Sequence, residues 1–110
     1  MSSIDSEIRI VFTTWPDIEK ARAAAHKLVE EKLVACANLV PAMESIYRWQ
    51  GKVETSAEVL VIFKTTSACY PMVESRIREL HTYEVPEILS LRAADGLPSY
   101  LRWVTESCLD

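Results

Sequence analysis

Few side chains in this 110-residue chain have the chemistry to hold a metal or drive a reaction. Beyond Met1, the sulfur and imidazole donors are Cys36, Cys69, Cys108, His26, His81, Met43 and Met72, groups that suit copper or zinc when they converge. In the sequence they do not converge. The three cysteines are odd in number and widely spaced, so they form neither a disulfide framework nor a CxxC zinc or redox pair. The two histidines lie in separate helical contexts, which leaves no readable Ser-His-Asp or Cys-His pairing and argues for binding, not for an enzyme. Gly51 and Gly96 are the only glycines, so a glycine-rich phosphate loop is excluded. Lys plus Arg is 12 against 16 Asp plus Glu, a formal charge of −4. That balance argues against nucleic acid or an anionic membrane surface as a partner. No apolar run approaches the roughly 18 residues of a membrane span. The start, Met1–Glu7, is polar and holds Asp5 and Glu7, unlike a signal peptide. A reduced, cytoplasmic setting is expected.

Positioning these groups falls to a short series of elements. Ile8–Thr14 is β-branched, short and bounded by Pro16, which predicts a strand. Asp17 can cap a helix whose apolar residues Ile18, Ala21, Ala25, Leu28, Val29 and Leu33 recur at helical spacing, fading near Leu33–Val34. A second strand, Ala35–Val40, is interrupted by Pro41, which requires a bulge, a bend or a sheet edge, and resumes over Glu44–Trp49. Gln50-Gly51 forms a hairpin tip, with Gly51 supplying positive φ. On the return strand, Lys52–Thr66, polar Lys52, Glu54, Ser56 and Glu58 alternate with Val53, Thr55, Ala57 and Val59. The unbroken apolar run Val59–Phe63 predicts cover on both faces. Ser67 caps a second helix, with Pro71 in its first turn and Cys69, Tyr70, Val73, Ile77 and Leu80 as its apolar stripe. His81–Glu87 is a loop, Ile88–Arg92 a strand and Asp95-Gly96 a turn. Pro98 opens a last helix with Leu97, Tyr100, Leu101 and Val104 on one side.

The order β-α-β-β-α-β-α predicts one α+β domain over residues 1–110, a ferredoxin-like split βαβ sandwich with a long hairpin between its second and third strands. Right-handed crossovers place the first two helices on one sheet face. One C-terminal helix is too little cover for the other, and 49% apolar residues is high for a small domain. Together these predict oligomerisation through the bare face and the hairpin.

The residues also carry a resemblance. Glu31–Pro41 reads EKLVACANLVP, Ser45–Glu54 reads SIYRWQGKVE, and Tyr83–Ile88 reads YEVPEI. With Glu58, Lys64-Thr65 and the closing Tyr100–Val104, these resemble the CutA family of divalent-cation tolerance proteins from the first strand to the last helix. The resemblance implies a homotrimer similar to that of PII signalling proteins, with hairpins reaching across subunits. It implies a link to copper and divalent-cation tolerance, and metal binding in some members. The implied metal residues are His81 and Glu87, holding copper or another divalent cation weakly and without a role in folding. This chain departs from the pattern at Thr82, where proline is usual, and at Thr13, where some members carry cysteine. The ordinary reading of His81 is a helix C-terminal residue favoured by the dipole. The resemblance further implies that several of Asn38, Tyr47, Trp49, Glu58, Lys64, Tyr83, Glu87 and Trp103 meet near a cleft between subunits. Such a cleft can hold a small anionic ligand, with Lys64 supplying charge. The same rings suit an interface anchor, and Lys64 with Glu58 or Glu87 suits a buried ion pair. Cys36, Cys69 and Cys108 read as packing residues, Cys36 as a small buried one, and His26 as a solvated residue of the first helix.

Overall fold

The computed structural model describes residues 7–109, so most of the polar start falls outside it. Seven elements follow one another: β1 (Ile8–Trp15), α1 (Ile18–Glu30), β2 (Cys36–Trp49), β3 (Lys52–Thr66), α2 (Tyr70–Leu80), β4 (Ile88–Arg92) and α3 (Pro98–Ser107). The four strands form one antiparallel sheet in the order β2-β3-β1-β4. β3 is inserted between β1 and β2, which is the split βαβ arrangement expected from the element order.

The core lies between one sheet face and the helices. Val11, Trp15, Val61 and Phe63 from the sheet are fully buried with Leu28 of α1 and Val73 and Ile77 of α2. In register, Val11 faces Phe63 and Thr13 faces Val61, so alternate residues of β1 and β3 share this covered side. α3 packs across the end of the sheet. Its Val104 is buried, Tyr100 Oη lies 3.8 Å from Cys36 Sγ, and Leu109 N–H donates to the Lys32 carbonyl at 2.9 Å.

Helix α1 starts as expected, with Asp17 Oδ1 accepting from Lys20 N–H at 2.8 Å. It stops at Glu30, earlier than its apolar spacing indicates. Lys32 turns into the left-handed region at φ 62, and the amides of Lys32 and Leu33 bond back to the carbonyls of Val29 and Leu28. These two bonds satisfy the last carbonyls in a Schellman closure. Leu33 is still buried in the core, which is why its spacing reads as helical. At α2 the expected Ser67 cap is replaced. Ser67 Oγ donates to Glu7 Oε1 at 2.6 Å and accepts from Arg9 Nε at 2.9 Å. Thr66 Oγ1 instead accepts the Cys69 amide, and Cys69 is the helix N-cap residue.

Pro41 sits where an edge strand can tolerate it. β2 is an outer strand, and Pro41 and Ala42 together oppose only Val59, between the pairs Val40–Leu60 and Met43–Glu58. This is a β-bulge. At the far end Gln50 and Gly51 both have positive φ, 51° and 82°, and Trp49 pairs with Lys52. A two-residue hairpin turn of that hand follows the twist of its strands.

Candidate functional site

The bulge re-aims the outer strand. Up to Val40 the even residues Cys36, Asn38 and Val40 share a face with Lys64, Ile62 and Leu60. Beyond the bulge the odd residues Met43, Ser45, Tyr47 and Trp49 share that same face, opposite Glu58, Ser56, Glu54 and Lys52. The extra residue therefore brings two rings and a thioether to the side of the hairpin that carries the Glu58 carboxylate.

The loop between α2 and β4 closes over this side. The result is a cleft of about 850 Å³, lined by Phe12, Thr14, Met43, Ser45, Ile46, Tyr47, Trp49, Glu58, Leu60, Thr82, Tyr83, Glu84, Val85 and Glu87. Three carboxylates line it, and none of its lining residues is Lys, Arg or His. Tyr83 Oη donates to Glu58 Oε2 at 2.7 Å, and Ser56 Oγ donates to Tyr47 Oη at 3.4 Å. Burial, then the hydrogen bond to Glu58 and its charge, push the Tyr83 hydroxyl well above its ordinary range. Tyr83 therefore remains a proton donor to Glu58. Partial burial and the neighbouring Glu58 charge push the Glu87 carboxyl upward.

Tyr83 is held by His81. Its backbone N–H donates to His81 Nδ1 at 3.1 Å, which leaves the ring proton on Nε2, and Nε2–H donates to the Thr14 carbonyl at 2.7 Å. The imidazole stacks on Trp15 at 4.1 Å between ring centroids, and the Tyr83 ring tilts onto it at 4.7 Å. Burial lowers the His81 pKa, against the opposing hydrogen bond to Thr14 and the charge of Glu58. Both imidazole nitrogens are thus committed, so a metal at His81 has to displace one of these bonds. Among the described residues, no three or more His, Cys, Asp or Glu side chains are placed to hold a metal ion. Thr13 is fully buried, and its Oγ1 has no hydrogen-bond partner among the described residues.

Of the residues singled out from sequence, Tyr47, Trp49, Glu58, Tyr83 and Glu87 meet in the cleft. Asn38, Lys64 and Trp103 do not line it. Lys64 Nζ donates to Asn38 Oδ1, and Trp103 lies against Tyr100 at 5.6 Å between ring centroids. Neither of the ion pairs considered for Lys64 forms among the described residues. Cys36 is half-buried, less enclosed than expected, while Cys69 and Cys108 are buried. His26 is exposed on α1 and borders a second groove, of about 460 Å³, between α1 and β2. Phe12, Thr14 and Leu60 were missed because cross-strand register brings them in, and Glu84 and Val85 because the loop's path does. The sequence signal that points toward the cleft is the interruption of the second strand at Pro41.

Comparison with known proteins agrees with this architecture. The family model for the CutA1 divalent ion tolerance protein matches residues 9–107. The divalent-cation tolerance protein CutA of Thermus thermophilus is 47% identical over 98 residues, 89% of this chain and 95% of that protein. Its solved structure superposes with a TM-score of 0.90 at 46% identity, covering 92% of this chain and 98% of the other. Human protein CutA is 39% identical over 97% of this chain, which spans 62% of the human protein's length. The structure of CutA1 from Oryza sativa gives a TM-score of 0.92 at 36% identity, covering 94% of this chain and 95% of that one. The chain belongs to the CutA1 divalent ion tolerance protein family.

Proposed function

We propose that this chain works as a homotrimeric binding protein in the response to divalent cations, with the acidic cleft as its cation-facing site. The observation that carries this is the charge of the cleft, which Glu58, Glu84 and Glu87 line without any basic residue. Carboxylates in a concave, partly apolar site focus a negative potential and raise the local concentration of cations. Copper or another divalent cation is held weakly here, through Glu87 and water, since His81 has both nitrogens engaged. Folding does not depend on the ion, because apolar packing closes the core. His81 acts at one remove by fixing Tyr83. The role is binding, not catalysis, and the setting is the cytoplasm, a compartment in keeping with three free cysteines.

Calorimetric titration with copper(II) and zinc tests the site. Weak binding, reduced several-fold in Glu87→Gln and retained in His81→Gln, is the expected result. Binding that ignores Glu87→Gln and vanishes in His81→Gln would move the site to the imidazole. The trimer is supported by the open sheet face, where Leu89 and Leu91 are at least half exposed and Leu60 and Ile62 are half-buried. A single-chain mass by light scattering at micromolar concentration counts against it.

A second reading, a small molecule held at the cleft between subunits, has its own support. A volume of about 850 Å³ exceeds what an ion requires and falls in the range of small-molecule pockets. Tyr47, Trp49 and Tyr83 give it aromatic walls. Lys64 is engaged with Asn38 away from the lining, so an anionic ligand meets no cation there.

A further inference from the structure

Resting on that second reading, we propose that the cleft takes a small organic cation, a protonated amine carrying an apolar body. The argument begins with Glu58. Its residue is about nine-tenths buried, at 9% exposure. Among the described residues its carboxylate receives one hydrogen bond, from Tyr83 Oη to Oε2, and no ion pair. A carboxylate can accept about four hydrogen bonds, and neither Glu58 oxygen is sealed off without a partner, so the capacity left beyond the Tyr83 bond opens into the cleft. Glu58 therefore has unused acceptor capacity in a cleft whose other charged side chains, Glu84 and Glu87, are also acidic. Within one chain, the complement these carboxylates call for is positive and able to donate hydrogen bonds.

The walls decide which kind of cation fits. A divalent metal ion needs several ligand atoms, about four for zinc and about six or more for the hard cations, and ring faces offer none. Phe12, Tyr47, Trp49 and Tyr83 instead offer aromatic rings, which attract an ammonium group over their faces and bury hydrocarbon. Met43 and Leu60 extend the apolar floor beside Glu58. A protonated amine with an aryl or alkyl body uses the carboxylates and the walls together. A hydrated metal ion uses only the first, and a neutral apolar molecule only the second.

The test uses the full chain in its native assembly and three probes that share one body: 2-phenylethylamine, 2-phenylethanol and phenylacetate. Zinc alone is the fourth titrant, and all are followed by calorimetry at neutral pH. The amine is expected to bind one per chain, about tenfold or more tighter than the alcohol, with phenylacetate weakest. Raising sodium chloride should weaken the amine and leave the alcohol unchanged. Glu58→Gln should bring the amine down to the level of the alcohol. If that variant fails to fold, the three-probe comparison on the unaltered protein carries the same test. The alcohol or phenylacetate binding as tightly as the amine would overturn the cation class while leaving the cleft a ligand site. Zinc binding with no amine binding would overturn it in favour of the metal reading. Binding by none of the four would overturn both this proposal and the cleft on which it rests.

Discussion

The two sides of β3 carry similar side chains into different surroundings. Val59, Val61 and Phe63 lie beneath the helices at 0–3% exposure. Leu60 and Ile62, one residue away, face out from the open side and remain half-buried. Full burial of such a side chain contributes about 1.5–3 kcal/mol, so the covered side supplies much of this chain's own stability. The open side continues across the sheet through Phe12 and Leu89, and along the hairpin to Glu58 and the cleft. Apolar surface in excess of what the helices can cover is thus contiguous with the candidate site. The difference teaches that the covered side belongs to folding, while the open side is available for association and binding.

Placing one charge on each side is the most forceful way to break this comparison. Val61→Asp buries an uncompensated carboxylate in the core and should abolish folding, seen as loss of the cooperative melt. Ile62→Asp should keep the fold by circular dichroism and reduce the light-scattering mass to that of one chain. An unchanged mass would mean that the open face is not the subunit interface. Next in size, Phe63→Ala should cost about 3–5 kcal/mol in urea unfolding, the usual range for emptying a fully buried ring site.

Two buried threonines sharpen the covered side further. Thr65 Oγ1 donates to the Leu33 carbonyl at 2.6 Å, whereas Thr13 Oγ1 has no partner among the described residues. Thr65→Val should cost about 1–3 kcal/mol by leaving a buried carbonyl unpaired, while Thr13→Val should be nearly neutral or mildly stabilising. Equal losses in urea unfolding would show that a further donor or acceptor serves Thr13.

The smallest effect is at the seam between the two sides, where His81 stacks on Trp15 and holds Tyr83 against Glu58. Its folded pKa lies below the ordinary value of about 6.5. Below that value the unfolded chain binds a proton that the folded chain resists. Stability is therefore fully present above about pH 6.5 and lost as pH falls toward the lowered folded pKa. Glu87, raised in the fold, acts with the opposite sign above the ordinary glutamate range of about 4.3. Melting temperatures between pH 7 and 5.5 should fall in the unaltered chain and flatten in His81→Gln.

The strands and the hairpin were legible because β-branched runs, Pro16, Pro41 and the Gln50-Gly51 pair act locally. What was hidden depends on distant residues. Alternation along the return strand puts Glu58 on its polar face, but does not show that Tyr83, 25 positions later in the chain, bonds to it. Ser67 has the right type for a cap, but Glu7, just before β1, and Arg9, within it, take its hydroxyl. The length of α1 was overstated because Leu33 is apolar at helical spacing while Lys32 has already left the helix. The cleft was half legible. Tyr47, Trp49, Glu58, Tyr83 and Glu87 were named through resemblance, but the spacing of residues did not reveal that Pro41 and Ala42 switch which side of β2 faces them.

The tight Gln50-Gly51 turn also sets an order of events during folding. Hairpins close in about 1–10 μs, far sooner than contacts that must span most of a chain. β2 and β3 are joined by two residues, whereas β1 must find β4 across some eighty residues, from Arg9 to Arg92. The hairpin should therefore zip early, before the central strand docks beside it. Ile46 and Val53, on the hairpin, remain 68% and 66% exposed even in the finished chain. An early hairpin with apolar flanks and a free outer edge is prone to mispairing with other chains. Proline in the bulge of that edge then has a protective value during synthesis, since it removes a backbone donor from the strand that a stray chain would otherwise extend.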